Sequence, residues 1–292
     1  MIGHLSSHPG TLYLVPTPIG HLQDITLRAL QTLREAEFIA AEDTRHTRKL
    51  LAHFDIHPPR LFSCHQHNAR DALERIVDFL AQGVSGALVT DAGTPGVSDP
   101  GSEVVARLLA DGLPFVVLPG PAAFVTALVG SGLDTGGFSF HGFLPRQANA
   151  RAGLLAELRP RRETLIFYES PHRVGATLAA MAEIFGERRF VIARELTKLH
   201  EEYIRGSLAE GAGRIAEQAV RGELVLLVEG AASGDREAER EQNALSDGVS
   251  VPLTAREHVD VLTARGIPRN DAVREAAKAR GLSRNELYRQ LT

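Results

Sequence analysis

The chain has very little cysteine, no long apolar run and no basic excess, and each absence narrows what it can be. A single cysteine, Cys64, cannot close an internal disulfide, and no Cys/His cluster at ligand spacing surrounds it. Cys64 therefore reads as a small strand residue. No stretch of eighteen apolar residues occurs, and Met1 to Gly10 lacks a charged segment followed by an apolar one. Neither a membrane span nor a secretion signal is expected, and a cytoplasmic protein is. A formal net charge of -4 argues against coating nucleic acid by bulk electrostatics, so any RNA contact must be local. There is no G-x-x-x-x-G-K-[ST] loop and no strand running into G-x-G-x-x-G, which disfavours a nucleoside triphosphate or a dinucleotide. His46, His53, His57, His65 and His67 are numerous, but their spacing matches no zinc signature, and no metal is expected.

What is present is an alternation of β-rich apolar runs with amphipathic helical patterns, within 292 residues of which 43% are apolar. That is enough chain for two packed domains. Strands are expected at Thr11 to Val15, Phe38 to Ala41, Ala87 to Thr90 and Phe115 to Leu118. Asp24 is placed to cap a helix reaching Glu37, with Ile25, Ala29, Leu30 and Leu33 on one face. Asn68 is placed to cap another, carrying Leu73, Ile76, Val77 and Leu80 and stopped by Gly83, and a third runs from Ser102 to Ala110 before Gly112. After Pro119-Gly120-Pro121 the pattern restarts with strands at Phe138 to Phe143, Thr164 to Tyr168, Phe190 to Arg194, Glu202 to Gly206 and Leu224 to Glu229. The third and fourth of these are too close for an intervening helix, so the second sheet should be mixed and the first mainly parallel. Ala231 to Ser250 is polar without apolar period and reads as a linker. The tail beyond it reads as about three short helices, with capping boxes at Thr254/Glu257 and Ser283/Glu286 and breaks at Gly266 and Gly281; it is locally basic. The expected division is 1–120, 121–230, linker 231–250 and tail 251–292.

Three turns carry the chemistry: Pro16 to Gly20, Asp91 to Gly96 and Pro119 to Ala123, each following a strand of one sheet. Any one of them simply makes a tight turn. Three together combine proline stiffness with glycine access to the main chain, at the strand ends where α/β sheets bind ligands. Two polar segments also begin at strand ends, Glu42 to Lys49 and Arg194 to Glu202. Carboxylates beside cations there suit orienting a hydroxyl, accepting its proton and holding a phosphate, although either segment alone also suits a surface ion-pair network.

Ten blocks in register, among them Thr11 to Gly20, Glu42 to Arg45, Asp91 to Pro95, Ser98 to Gly101, Pro119 to Pro121, Gly142 to Pro145, Tyr168 to Arg173 and Glu195 to Lys198, resemble the ribosomal RNA small subunit methyltransferase I branch of the tetrapyrrole methylases. The likeness spans Gly10 to about Gly230; the tail is similar only in helical pattern and in Asn285 to Tyr288. The resemblance implies a two-domain tetrapyrrole methylase fold, a homodimer, and S-adenosylmethionine held between the domains by Pro18, Asp91, Gly93, Thr94, Ala122, Ala123 and Tyr168. It implies methylation of a cytidine ribose 2′-hydroxyl in 16S ribosomal RNA of the small subunit. Glu42 or Asp43 is the first candidate base and Glu195 or Lys198 the second, with Arg45, Arg48 and Lys49 on the RNA backbone. Two departures stand out: His21 where asparagine is usual, and Ala122 where serine is usual. The alternatives are the same fold acting on a small tetrapyrrole or a protein side chain, and a non-catalytic ribosome-assembly binding protein.

Overall fold

The computed structural model describes residues 9–65, 68–99, 101–217, 221–232, 255–264, 267–279, 282 and 286–287. The chain forms two compact units, Met1–Ala231 and Ala232–Thr292. No helix among the described residues is long and apolar enough to cross a membrane.

The first unit opens with β1 (Leu12–Leu14), β2 (Phe38–Ala41), β3 (Leu61–Ser63), β4 (Gly86–Val89) and β5 (Phe115–Val117), in the order β3-β2-β4-β1-β5, all parallel. Parallel pairing needs crossovers, supplied by α1 (Leu27–Glu35), α2 (Thr44–His53), α3 (Ala69–Ala81) and α4 (Gly101–Asp111). β2 and β4 are buried along their whole length, which is why they read as unbroken apolar runs. The period of two sorts their residues between two cores. Phe38, Ala40 and Leu88 pack with Ile76 and Leu80 of α3 and Leu108 of α4. Ile39, Ala41 and Val89 pack with Ala29 and Leu33 of α1 and Leu51 of α2.

Two helix starts differ from expectation. Asp24 ends a 3-10 turn (Leu22–Asp24), and α1 begins at Leu27 with Thr26 as its cap, Thr26 Oγ1 accepting from Ala29 N at 3.0 Å. The turn draws Asp24 N to His21 O at 3.0 Å, leaving Thr26 the extended residue before the helix. Asn68 occupies the cap position of α3 without capping it. Its amide instead accepts from His65 N at 2.8 Å and donates to Ser63 O at 3.0 Å, fastening the end of β3. Cys64 lies just beyond β3 and is buried, its N–H continuing the ladder to Ala41 O at 2.7 Å.

After α5 (Ala123–Ser131) comes a second sheet of β6 (Phe138–Phe143), β7 (Thr164–Glu169), β8 (Arg189–Arg194), β9 (Glu202–Ser207) and β10 (Leu224–Val228), in the order β6-β7-β10-β8-β9. It is mixed, as expected: β6 and β7 are parallel, and the other neighbours antiparallel. The helices α6 (Ala148–Leu158), α7 (Val174–Phe185) and α8 (Leu208–Glu217) accompany it. One core joins Leu155, Leu178, Met181 and Leu208 to Phe167 and Leu226. The other joins Ala127 and Leu128 of α5 to Ile166, Val191 and Leu227, and includes Ile19 from the first turn. Ile19 thereby fastens the first sheet's rim to the second sheet.

In the second unit α9 (Ala255–Ala264) and α10 (Arg269–Ala279) bury Val259, Leu262, Val273, Ala276 and Leu287 together. Residues 233–250 of the expected linker, Thr254, Gly266, Gly281, Ser283, Asn285 and Tyr288 of the tail, and His67 lie outside the described residues.

Candidate active site

The three turns follow β4, β1 and β5, which are neighbours in the first sheet, so they meet at one edge. Thr17 and Gly93 exchange backbone hydrogen bonds at 2.9 and 3.0 Å, and Thr17 Oγ1 donates to Thr90 O at 3.1 Å. Thr94 Oγ1 donates to Pro121 O at 3.0 Å, locking the second turn to the third. Gly93 has a φ of +84°, a left-handed conformation that side chains disfavour. Asp99 Oδ1 accepts from Gly96 N at 2.8 Å and Gly101 N at 2.7 Å, folding the loop from the second turn back onto α4.

A cavity of about 400 Å³ lies between this rim and the second sheet. Its apolar walls include Ile19, Ala122, Ala123, Phe143, Ala193 and Leu196, and Tyr168. The Tyr168 ring stands edge-on to Phe140 at 4.9 Å, and burial pushes its phenol up from the ordinary value. Beside it Glu169, 3% exposed, accepts from Thr177 Oγ1 at 2.6 Å and from Ser170 N at 2.8 Å. Arg173 Nη2 donates to Leu144 O at 2.8 Å and Pro145 O at 3.2 Å, so the Tyr168 to Arg173 block holds the Gly142 to Pro145 block in place. Glu42, Asp91, Asp99, Glu169 and Glu223 line this cavity, and among the described residues no lysine, arginine or histidine does. Such a lining favours a cationic ligand and opposes a phosphate.

A second cavity of about 410 Å³ adjoins the first and shares Ile19, Thr90, Asp91, Ala92 and Glu223 with it. Here the basic side chains gather: His46 and Lys49 from α2, and Lys198 from the loop between β8 and β9. At the neck, Glu42 Oε2 accepts from Thr90 Oγ1 at 2.6 Å and from Asp91 N at 3.3 Å, while Asp91 Oδ1 accepts from Asp43 N at 3.0 Å. Burial, with the nearby Glu42 charge, raises Asp91 above the usual carboxylate value.

Of the residues singled out in the sequence, Glu42, Asp91, Gly93, Thr94, Ala122, Ala123 and Tyr168 line the first cavity, and Pro18, Lys49, Lys198 and again Asp91 line the second. Asp43, Arg45, Arg48 and Glu195 line neither. Asp43 accepts from Arg45 N at 2.8 Å at the start of α2 and pairs with the Arg45 guanidinium at 2.7 Å, which holds its carboxyl far below the ordinary value. Glu195 is a strut: Oε1 accepts from Glu223 N at 2.9 Å and from Lys198 Nζ at 3.0 Å, and both lower its pKa. Burial alone would lower Lys198, but Glu195 and Glu223 outweigh it and the net shift is upward.

Asp99, Glu169 and Glu223 carry no individual mark in the sequence, and His46 is weighed there only as a metal ligand and as part of the Glu42 to Lys49 segment. Asp99 and Glu169 sit in blocks that carried the resemblance, whereas nothing around Glu223 marks it, because its place follows from the pairing of β10 with β8. His21 Nδ1 accepts from Gln23 N at 3.2 Å, so the imidazole does what an asparagine carboxamide would do at that turn. Ala122 precedes α5 with no side-chain cap.

Residues 11–212 match the family model of tetrapyrrole (corrin/porphyrin) methylases. The ribosomal RNA small subunit methyltransferase I of Halalkalibacterium halodurans is 46% identical over 279 residues, covering 96% of this chain and 93% of that protein. The Bacillus subtilis protein of the same name is 45% identical over 282 residues, 97% and 94% of the two chains. A uroporphyrin-III C-methyltransferase from Thermus thermophilus superposes with a TM-score of 0.57 at 24% identity, over 78% of this chain and 98% of that one. A structure of the Thermus enzyme complexed with S-adenyl homocysteine gives 0.56 at 20% identity, over 75% and 97%. At such identities the structural likeness speaks for the fold alone.

Proposed function

The chain belongs to the tetrapyrrole (corrin/porphyrin) methylase family, and on that premise we propose that it methylates the 2′-hydroxyl of a cytidine ribose in 16S ribosomal RNA of the small subunit. The methyl donor is S-adenosylmethionine. The observation that carries the proposal is the uneven charge of the two cavities among the described residues: carboxylates without lysine, arginine or histidine in the first, Lys49 and Lys198 beside Asp91 and Glu223 in the second. A sulfonium ligand suits the former and an RNA phosphate the latter. The name shared by relatives at 45% and 46% identity over nearly the whole chain supports the RNA substrate.

In this reading Asp91, Gly93, Thr94, Ala122, Ala123 and Tyr168 hold the donor in the first cavity, with Pro18 stiffening the turn on its far side. When bound, S-adenosylmethionine supplies an electrophilic methyl group. The protein's part is to hold the ribose oxygen in line with that methyl, to exclude water and to receive the hydroxyl proton. Of Glu42, Asp43, Glu195 and Lys198, Glu42 is the one lining the first cavity. Lys198 is a paired cation suited to a phosphate oxygen. Asp43 and Glu195 brace α2 and the loop after β8. Arg45, Arg48 and Lys49 face outward on α2 and hold the RNA backbone.

The same reading places the boundary of the two α/β domains at 120/121, takes 231–250 as linker to the 251–292 tail, and puts the protein in the cytoplasm as a homodimer. Exposed apolar side chains support the dimer: Val116 and Val117 lie on the edge strand β5, Val125 and Val129 on α5, and Phe138 on the edge strand β6. A second copy would cover them. Light scattering reads the mass directly.

The test of the reaction is transfer of labelled methyl from S-adenosylmethionine to small ribosomal subunits from a strain lacking the enzyme, with the modified nucleoside identified by mass spectrometry. Label on a cytidine ribose is expected. Cofactor binding without transfer to ribosomal RNA would refute the substrate.

A further inference from the structure

We infer that the second cavity seats the acceptor nucleotide and that Asp91, an acid at the neck shared by both cavities, is the catalytic residue that takes the hydroxyl proton. The inference rests on the methyl-transfer reading above and adds a residue and a place to it. The acceptor hydroxyl must reach the donor's methyl from outside the donor's cavity, and the second cavity adjoins the first along Ile19, Thr90, Asp91, Ala92 and Glu223. Asp91 and Glu223 are the two acids common to both cavities, but the Glu223 side chain is 75% exposed and its Oε2 is paired with Lys198 Nζ at 3.2 Å, whereas Asp91 is half-buried. Its Oδ1 is held by the Asp43 N–H, and among the described residues Oδ2 carries no hydrogen bond.

Glu42 lines the first cavity and not the second, where the acceptor would sit, and its Oε2 accepts from Thr90 Oγ1 and Asp91 N. It is therefore a positioning residue, whose charge raises the proton affinity of Asp91. The groups around Asp91 are Glu42 and Asp43 after β2, His46 and Lys49 from α2, and Lys198 and Glu223 across the second cavity. As the ribose oxygen forms its bond to the methyl carbon, its O–H bond breaks toward Asp91 Oδ2, and the carbon–sulfur pair stays on sulfur. The released proton ends on a carboxylate and the sulfur ends neutral.

The test pairs methyl transfer to small subunits between pH 5 and 9 with calorimetric binding of S-adenosylhomocysteine in the absence of RNA. Asp91→Asn is expected to lower kcat by about 100-fold or more, the usual worth of a general base, and to remove the low-pH limb. Binding of S-adenosylhomocysteine should fall by much less than kcat, because Asp91 is one of several residues lining the donor cavity. Glu42→Gln should move that limb to lower pH, because a neighbouring negative charge is removed. Asp91→Asn binding the product more weakly in proportion to its lost activity would reduce Asp91 to a donor-binding residue and overturn the inference. So would a wild-type pH limb in Asp91→Asn, or an unmoved limb in Glu42→Gln, which also serves if Asp91→Asn does not fold. Failure of the wild type itself to methylate RNA would sink the underlying reading, and this inference with it.

Discussion

Gly20→Ala offers a decision by sign. Gly20 has no left-handed backbone, so alanine there is free of backbone strain, and by reducing the freedom of the unfolded chain it would stabilise by about 0.4–1 kcal/mol if the site had room. The structure leaves no room. A Cβ at Gly20 would stand 2.6 Å from Thr197 Oγ1, 2.7 Å from Lys198 Cγ and 2.8 Å from Leu196 O. Thr197 Oγ1 is tied to His21 N at 2.9 Å, and Leu196 O is backbone, so neither yields by rotating a side chain. The loop itself has little slack, because Glu195 and Thr197 already hold φ values of +50° and +62°. Overpacking of this kind costs about 1–3 kcal/mol, which exceeds the entropic gain, so net destabilisation is expected. Displacing Lys198 should also weaken RNA binding more than product binding. Urea unfolding at pH 7 reads the first effect, and parallel titrations with RNA and S-adenosylhomocysteine read the second. A Gly20→Ala protein as stable as the parent, or more so, would refute the close approach of the two segments.

Ala122→Ser places a hydroxyl at the uncapped start of α5, and a gain of about 1 kcal/mol in unfolding free energy is expected, with tighter product binding if the hydroxyl also meets the donor. The Glu195 carboxyl has a lowered pKa in the folded protein, so its contribution is present at neutral pH and lost as pH falls from about 4.3 through the folded value. Glu195→Gln should accordingly melt below the parent at pH 7 and converge with it once the pH falls below the folded value; a constant gap would contradict the assignment. Lys49→Ala should weaken RNA binding and make the slope of log K against log salt shallower by about 0.7–0.9, leaving product binding untouched.

The layered α/β order, the mixed second sheet and the three proline- and glycine-bearing turns were all legible in the sequence, because each depends on residues close together in the chain. Unbroken apolar runs made β2 and β4 visible, and the proline and glycine content marked the turns. Local competition misplaced the cap of α1, since Asp24 and Thr26 both suit a cap and only the folded 3-10 turn chooses between them. The ten blocks in register named the family, yet they did not say which of their residues meet. Strand order decided that: by placing β1 between β4 and β5, the sheet brings Thr17, Thr90 and Pro121 onto one rim. Pairing of β10 with β8 sets Glu223 against Glu195 and Lys198, a contact between residues more than twenty positions apart. The gathering of Lys49 and Lys198 in only one of two adjoining cavities is likewise a product of tertiary structure. Charge in a sequence is a sum, whereas the field a ligand feels depends on which side chains the fold turns toward it.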